Sequence, residues 1–454
     1  MKRIQAMMGL LAVCACLLIG TSPGVRAQQP VTAFEVADEV ARIAVEGELW
    51  PGFDPTAYPL AVYDGENTCL FHHPSPPEGF APVAGRDGAF ILPGRHETIR
   101  ANTALDIGGV QTATVMLDMM LDMSLRAIAA VAVHELFHVY QEAQRVQWPS
   151  ANEAELFTYP VTEEGILALQ RLETEAFRRA LLAEDAPTRR GWAQRALALR
   201  RERFALLPPG ACEYERGNEL IEGTAHYIQA KAERNPELML IPPDGYSPER
   251  IRQRTYALGH ALALLLDEFR QDWKRERIEG EWAPLDVLLH EVLAETAGEQ
   301  PPDFTADERA EAKEAAQADA QAVVTKRAEL KQSFLEAEGF AITVLAAGEP
   351  LWPRGFDPMN VQVLGGNEVL HMRWLRLGNE GASLEVLDRW VLTEGAGEHP
   401  LFGGVRRMTV RGLGGEPRLT VVEGKLRLET DGFTGEFAEA KVEKAGGGLV
   451  ITLR

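Results

Sequence analysis

Two histidines and a glutamate stand together in the run His134-Glu135-Leu136-Phe137-His138. On a helix, residues four apart lie one turn above each other, so both imidazoles point the same way while Glu135 sits about 100° aside. This is the H-E-x-x-H spacing of a zinc site. A catalytic Zn²⁺ takes two such nitrogens, a third protein ligand and a water, with a carboxylate beside the water to accept its proton. His134 and His138 are the expected ligands and Glu135 the expected general base. The motif lies near the end of an apolar helical run over residues 125–146, and Ile128-Ala129-Ala130-Val131-Ala132-Val133 is small and apolar, as a helix buried on most sides requires. Two imidazoles and a carboxylate in such a place are costly unless they are paired or bound to a metal.

The elements that must position these groups follow from the chain in order. Residues 1–27 carry Lys2 and Arg3, a 14-residue apolar run over 7–20, and Val25-Arg26-Ala27. That run is short for a bilayer span and fits a secretory signal cut after Ala27, which places the chain in the periplasm or outside the cell. Loss of that segment leaves 43 basic against 67 acidic residues, a formal charge of −24 that argues against a nucleic-acid partner. It also leaves only Cys69 and Cys212, which in an exported chain fit one disulfide.

Periodicity predicts a helix over residues 32–47 and short strands over 59–63, 68–71, 88–92 and 111–117. The last of these, just before the zinc-motif helix, is a candidate to pair with an extended peptide. Residues 148–210 read as a two-helix insertion shaping the cleft. Its second helix carries Arg189, Arg190, Arg195, Arg200, Arg201 and Arg203, read as a solvated face paired to carboxylates.

A further helix, from about Cys212 to Asn235, contains Glu222-Gly223-Thr224-Ala225-His226-Tyr227. Here the chain resembles the gluzincin zinc metallopeptidases, whose third ligand is a glutamate in an E-G-x-A-x-Y segment of a second helix. The resemblance implies Glu222 as third ligand, with Glu219 the alternative, since Asn218-Glu219 resembles the thermolysin-type arrangement. Gly223 would let the two helices approach closely. His226, one turn on, is a candidate to contact substrate or to close the metal site. Aminopeptidase N-like gluzincins place an oxyanion-stabilising tyrosine in a Y-x-x-G segment; Tyr256-Ala257-Leu258-Gly259 matches, with His260 and Tyr227 as alternative donors. The G-x-M-E-N segment that holds a substrate amino terminus in those enzymes is absent, so exopeptidase specificity is not implied.

Residues 300–338 read as a polar connecting helix opened by the capping box Thr305-x-x-Glu308. The last 116 residues hold 20 of the 41 glycines and alternate apolar residues at period two, which predicts an antiparallel β domain over 339–454, a sandwich or partial barrel. The expected architecture is thus α+β: a signal segment (1–27), a zincin-like domain with a helical insertion (28–299), a connecting helix and an all-β domain. The expected function is hydrolysis of a peptide or protein substrate with Zn²⁺, the β domain binding a surface or protein partner. A non-catalytic zinc-containing module, or a zinc hydrolase of non-peptide substrates, is the alternative.

Overall fold

The computed structural model describes residues 31–144, 151–235, 241–275, 283–294 and 301–454; the expected signal segment, residues 1–27, lies outside them. The chain is α+β and divides between Gln317 and Ala318 into a largely helical unit and a β unit. Among the described residues no helix is long and apolar enough to cross a membrane.

The first unit opens with α1 (Ala33–Glu46), where Thr32 and Glu35 form the reciprocal bonds of a capping box. Val36, Val40 and Ile43 are buried, whereas Val45 is 84% exposed. Six strands follow: β1 (Leu60–Tyr63), β2 (Asn67–Phe71), β3 (Ala81–Pro82), β4 (Ala89–Pro93), β5 (Thr103–Ile107) and β6 (Val110–Met116), in the order β3-β4-β2-β1-β6-β5. This order corrects one expectation. β6 is an interior strand, parallel to β1 on one side and antiparallel to β5 on the other, so its backbone donors and acceptors are already paired and it cannot receive a peptide. The edge belongs to β5. Gly108 and Gly109, both at positive φ, form the two-residue turn that folds β5 onto β6, since Ile107 faces Val110.

The zinc-motif helix α2 spans Leu125–Ala143, shorter than the run to residue 146, because Gln144 turns extended. Ser124 caps it by accepting from Ala127 N at 3.2 Å. Helices α3 (Glu164–Leu182) and α4 (Ala186–Phe204) form a hairpin over the stretch expected to be a two-helix insertion. Next come α5 (Pro209–Asn218), a π-turn over Glu219–Gly223, α6 (Thr224–Glu233), α7 (Ile251–Phe269) and α8 (Leu285–Ala294). One apolar core joins the sheet, α2, α6 and α7, with Trp50 edge-on to Phe137 and to Trp273. Helix α9 (Ala306–Glu336) runs across the division between the units.

Cys69 and Cys212 are free, which corrects the expected disulfide. Cys69 is enclosed in β2, where burial pushes its thiol up to about 11, and the Cys212 thiol on α5 donates to Phe204 O at 3.6 Å.

In the second unit a seven-stranded sheet runs, across its width, Ala440–Ala445, Gly448–Leu453, Phe340–Ala346, Arg407–Leu413, Val391–Glu394, Glu368–His371 and Val361–Gly365. A six-stranded sheet runs Arg418–Val422, Lys425–Thr430, Phe433–Phe437, Ala382–Leu387, Trp374–Gly378 and Trp352–Phe356. Ile342, Val344, Val410 and Ile451 of the first share one core with Leu375, Leu384, Phe433 and Phe437 of the second, as in a sandwich. Pairing is antiparallel throughout except that the last strand lies parallel to the first, Gly448–Leu453 beside Phe340–Ala346.

Candidate metal centre

The site is built on the last turns of α2. His134 and Glu135 are each 1% exposed, and His138 is half-buried. The two Nε2 atoms face each other at 3.1 Å. Glu222, delivered by the π-turn, brings Oε2 to 3.5 Å from His134 Nε2 and 3.3 Å from His138 Nε2. Bonds of about 2.0–2.1 Å in a tetrahedral zinc shell require donor-to-donor edges of about 3.3–3.4 Å. The three observed edges bracket that length, and two imidazoles and one carboxylate are donors that such an ion accepts. Glu135 offers a ligand atom within 4.8 Å of those of both histidines and stands beside the triangle.

Electrostatics point the same way. Burial lowers the pKa of His134; at His138 burial acts likewise but is outweighed by Glu222, and the imidazole is pushed up to about 9. Burial raises the Glu222 carboxyl, yet the two rings hold it well below the usual range. A buried carboxylate so placed calls for positive charge between the rings, which either a proton on His138 or a divalent cation held by all three supplies.

Gln141, one turn beyond His138, orients the second imidazole. Its Nε2 donates to Ile221 O at 3.0 Å and Thr224 Oγ1 at 3.1 Å, so its Oε1 is left to accept from His138 Nδ1 at 2.8 Å. With its proton on Nδ1, His138 presents the Nε2 lone pair to the triangle. Gln141 was not among the expected site residues, although its position three residues after His138 on the same helix face was the available signal.

The π-turn separates the two candidate third ligands. On a regular helix Glu219 and Glu222 would lie on nearly one face; the wider i→i+5 turn rotates successive side chains less and sends them apart. Glu222 meets the histidines, whereas both oxygens of Glu219 accept from Arg200, at 2.7 and 2.6 Å. α7 lies directly on this turn. A Cβ on Gly223 would come within 2.5 Å of Gly259 Cα, and one on Gly259 within 2.3 Å of Glu219 O. The glycine of the Y-x-x-G segment is thus required by helix approach. Gly259→Ala is expected to cost about 1–3 kcal/mol, read as a lower midpoint of urea unfolding, because the opposing atoms are backbone and cannot swing aside.

Among the candidate oxyanion donors, Tyr256 is half-buried with its ring 6.4 Å from that of His134. Tyr227 is committed elsewhere: its hydroxyl donates to Asp267 Oδ2 and accepts from Lys274 Nζ, both at 2.6 Å. His226 lies edge-on to His260 at 5.3 Å and 6.5 Å from Tyr256, and burial pushes it down to about 4, so it is neutral. His260, also buried, is held well below its ordinary pKa by burial. One turn before Tyr256, Arg252 pairs with Glu153 from the 3₁₀ turn Glu153–Phe157.

Two of the six arginines expected on a solvated face of α4 depart from it: Arg200 and Arg203 are 1% and 0% exposed, whereas Arg201 is exposed and the half-buried Arg189 and Arg195 pair with Glu268 and Asp303. Hydropathy spacing cannot distinguish a charged residue facing water from one facing a buried carboxylate.

In the β unit His371 is buried with Thr393 Oγ1 at 3.3 Å from its Nε2, a structural placement. Comparison of the whole chain with known family models, with curated proteins and with solved structures finds no match in any of the three.

Proposed function

We propose that this chain is an exported zinc peptidase of the gluzincin type, its first unit being zincin-like. The observation that carries the reading is the triangle of His134 Nε2, His138 Nε2 and Glu222 Oε2, whose edges are those of a tetrahedral zinc shell. The order of sheet, zinc-motif helix and second ligand-bearing helix supports it, as does the buried carboxylate beside the triangle.

When bound, Zn²⁺ would polarise the scissile carbonyl and lower the pKa of the attacking water. Glu135 takes the water's proton as the oxygen attacks the carbonyl carbon, and delivers it to the leaving amine as the C–N bond breaks. Tyr256, whose ring lies 6.4 Å from that of His134, would donate a hydrogen bond to the oxyanion. Gln141 holds the His138 ring in the tautomer that keeps its lone pair on the site. α2, packed in the core, keeps Glu135 in a buried setting where a proton acceptor is not levelled by bulk water.

The test is the metal content of the protein purified without chelator. One zinc per chain is expected in the wild type and in His226→Ala, and a chain largely free of zinc in Glu222→Ala. Zinc lost equally in His226→Ala would make His226 a fourth ligand and turn the reading to a closed, structural metal. A wild type that binds no zinc overturns the proposal. Cleavage of casein and of a mixed peptide library by the zinc-loaded chain, abolished by chelation, would then separate a peptidase from a hydrolase of other substrates.

A further inference from the structure

We infer that Arg200 is a positioning residue for the metal site: through Glu219 it holds the π-turn in the one conformation that aims Glu222 at the two histidines. The inference rests on reading His134, His138 and Glu222 as a zinc site.

Arg200 and Arg203 on α4, Arg254 on α7, Glu173 on α3, and Glu215 and Glu219 on the ligand-bearing helix form a closed ionic cluster, each member no more than 1% exposed. Arg200 forks onto both oxygens of Glu219 and gives Nε to Glu173 at 2.9 Å. Arg203 gives Nε to Glu173 at 2.6 Å and forks onto Glu215 at 2.6 and 2.7 Å. Arg254 reaches Glu215 at 3.1 Å and Glu173 at 3.0 Å. Three guanidiniums thus face three carboxyl groups. The hairpin of α3 and α4 is therefore tied to the helix that carries Glu222 and to the helix that carries Tyr256.

Such a cluster is a poor device for stability, since desolvating six charges offsets most of their attraction and apolar residues of the same volume commonly do as well. Its effect is on geometry. Glu219 is the first residue of the π-turn and Glu222 the fourth, so the direction of Glu222 depends on where the turn begins. A π-turn is rare against the regular helix, and it persists only where the surroundings over-determine it. Two groups do so here. The bidentate fork of Arg200 fixes the side chain at the start of the turn, and the backbone of Gly259 presses on Glu219 O and Gly223. Were the turn to relax to a regular α-helix, Glu219 and Glu222 would return to nearly the same face, and both could not keep their present partners.

The experiment uses the full chain. Zinc affinity is measured by competition with a chromophoric chelator, and the Co²⁺-substituted protein is read by its visible d–d bands, which report the ligand set independently of turnover. Arg200→Met with Glu219→Met removes the pair together, leaving neither charge stranded, while Glu173 keeps Arg203 and Arg254. The expected result is a cooperatively unfolding protein that binds zinc on the order of 10–100-fold more weakly, the scale of losing an outer-shell partner, with altered Co²⁺ bands. Arg200→Lys, which keeps the charge but not the fork, is the second variant and is expected to lose affinity in the same direction, by a smaller factor. Wild-type zinc affinity and Co²⁺ bands in the folded double variant overturn the inference while leaving the zinc site standing. If the double variant does not fold, unchanged values in Arg200→Lys overturn it equally. A wild type that takes up no zinc overturns the site and the inference together.

Discussion

Glu135→Gln is expected to keep one zinc per chain and to lose peptidase activity by about 10²–10⁴-fold, the range that a positioned general base contributes. The amide fills the volume of the carboxylate, so the 1%-exposed site is not left with a cavity, but it cannot accept a proton. His134, His138 and Glu222 are untouched, so the metal should stay. Metal analysis and kcat/KM on one peptide substrate check both halves. Activity retained with bound zinc would remove Glu135 from the chemistry; zinc lost as well would make Glu135 a ligand.

The second large effect falls on stability. Arg203→Met removes both bonds to Glu215 and the Nε bond to Glu173, leaving those buried carboxylates with Arg254, Arg200 and the Tyr159 hydroxyl. Removing one partner of a buried ionic cluster typically costs about 3–5 kcal/mol, because the surviving charge stays desolvated. At pH 7 this should appear as a large fall in the urea midpoint, whereas an exposed pair such as Arg389–Asp431 should matter little when broken. The same cluster sets an acid limit. Burial alone would raise the Glu173 carboxyl, but Arg203, Arg254 and Arg200 outweigh it and hold it down to about 2 from an ordinary 4.5. Because the folded pKa is the lower one, this stabilisation is present above pH about 4.5 and is lost as pH falls from there through about 2. Urea titrations across that window should show wild-type stability falling as pH drops. In Arg203→Met, where Glu173 keeps only Arg254 and Arg200, the fall should start from the same pH, end at a higher one and be smaller. Parallel profiles would mean that Glu173 is not the titrating group.

The sequence by itself determined the local parts of the site. The period of the α-helix stacks His134 over His138 and sets Glu135 beside them, and the small apolar residues before them require a buried helix. The capping box at Thr305 and the alternating strands of the β unit were equally local and equally legible. The E-G-x-A-x-Y likeness singled out the carboxylate that the fold brings to the histidines.

Only the tertiary structure decided the rest, because each remaining question depends on a partner distant in sequence. β6 is an interior strand because β5 folds back on it through a two-glycine turn, and alternation in β6 is the same whether it lies inside the sheet or at its edge. Cys69 and Cys212 remain free, the first buried in the core beneath β2 and the second half-buried on α5 with its thiol on Phe204 O. Arg200 and Arg203 are buried because carboxylates of two other helices meet them there. Glu219 and Glu222 part company because a π-turn, pressed by Gly259 and forked by Arg200, takes the place of a regular turn. A helical sequence does not announce that extra residue per turn: its cost is met by contacts from elsewhere in the chain, and those exist only once the chain has folded.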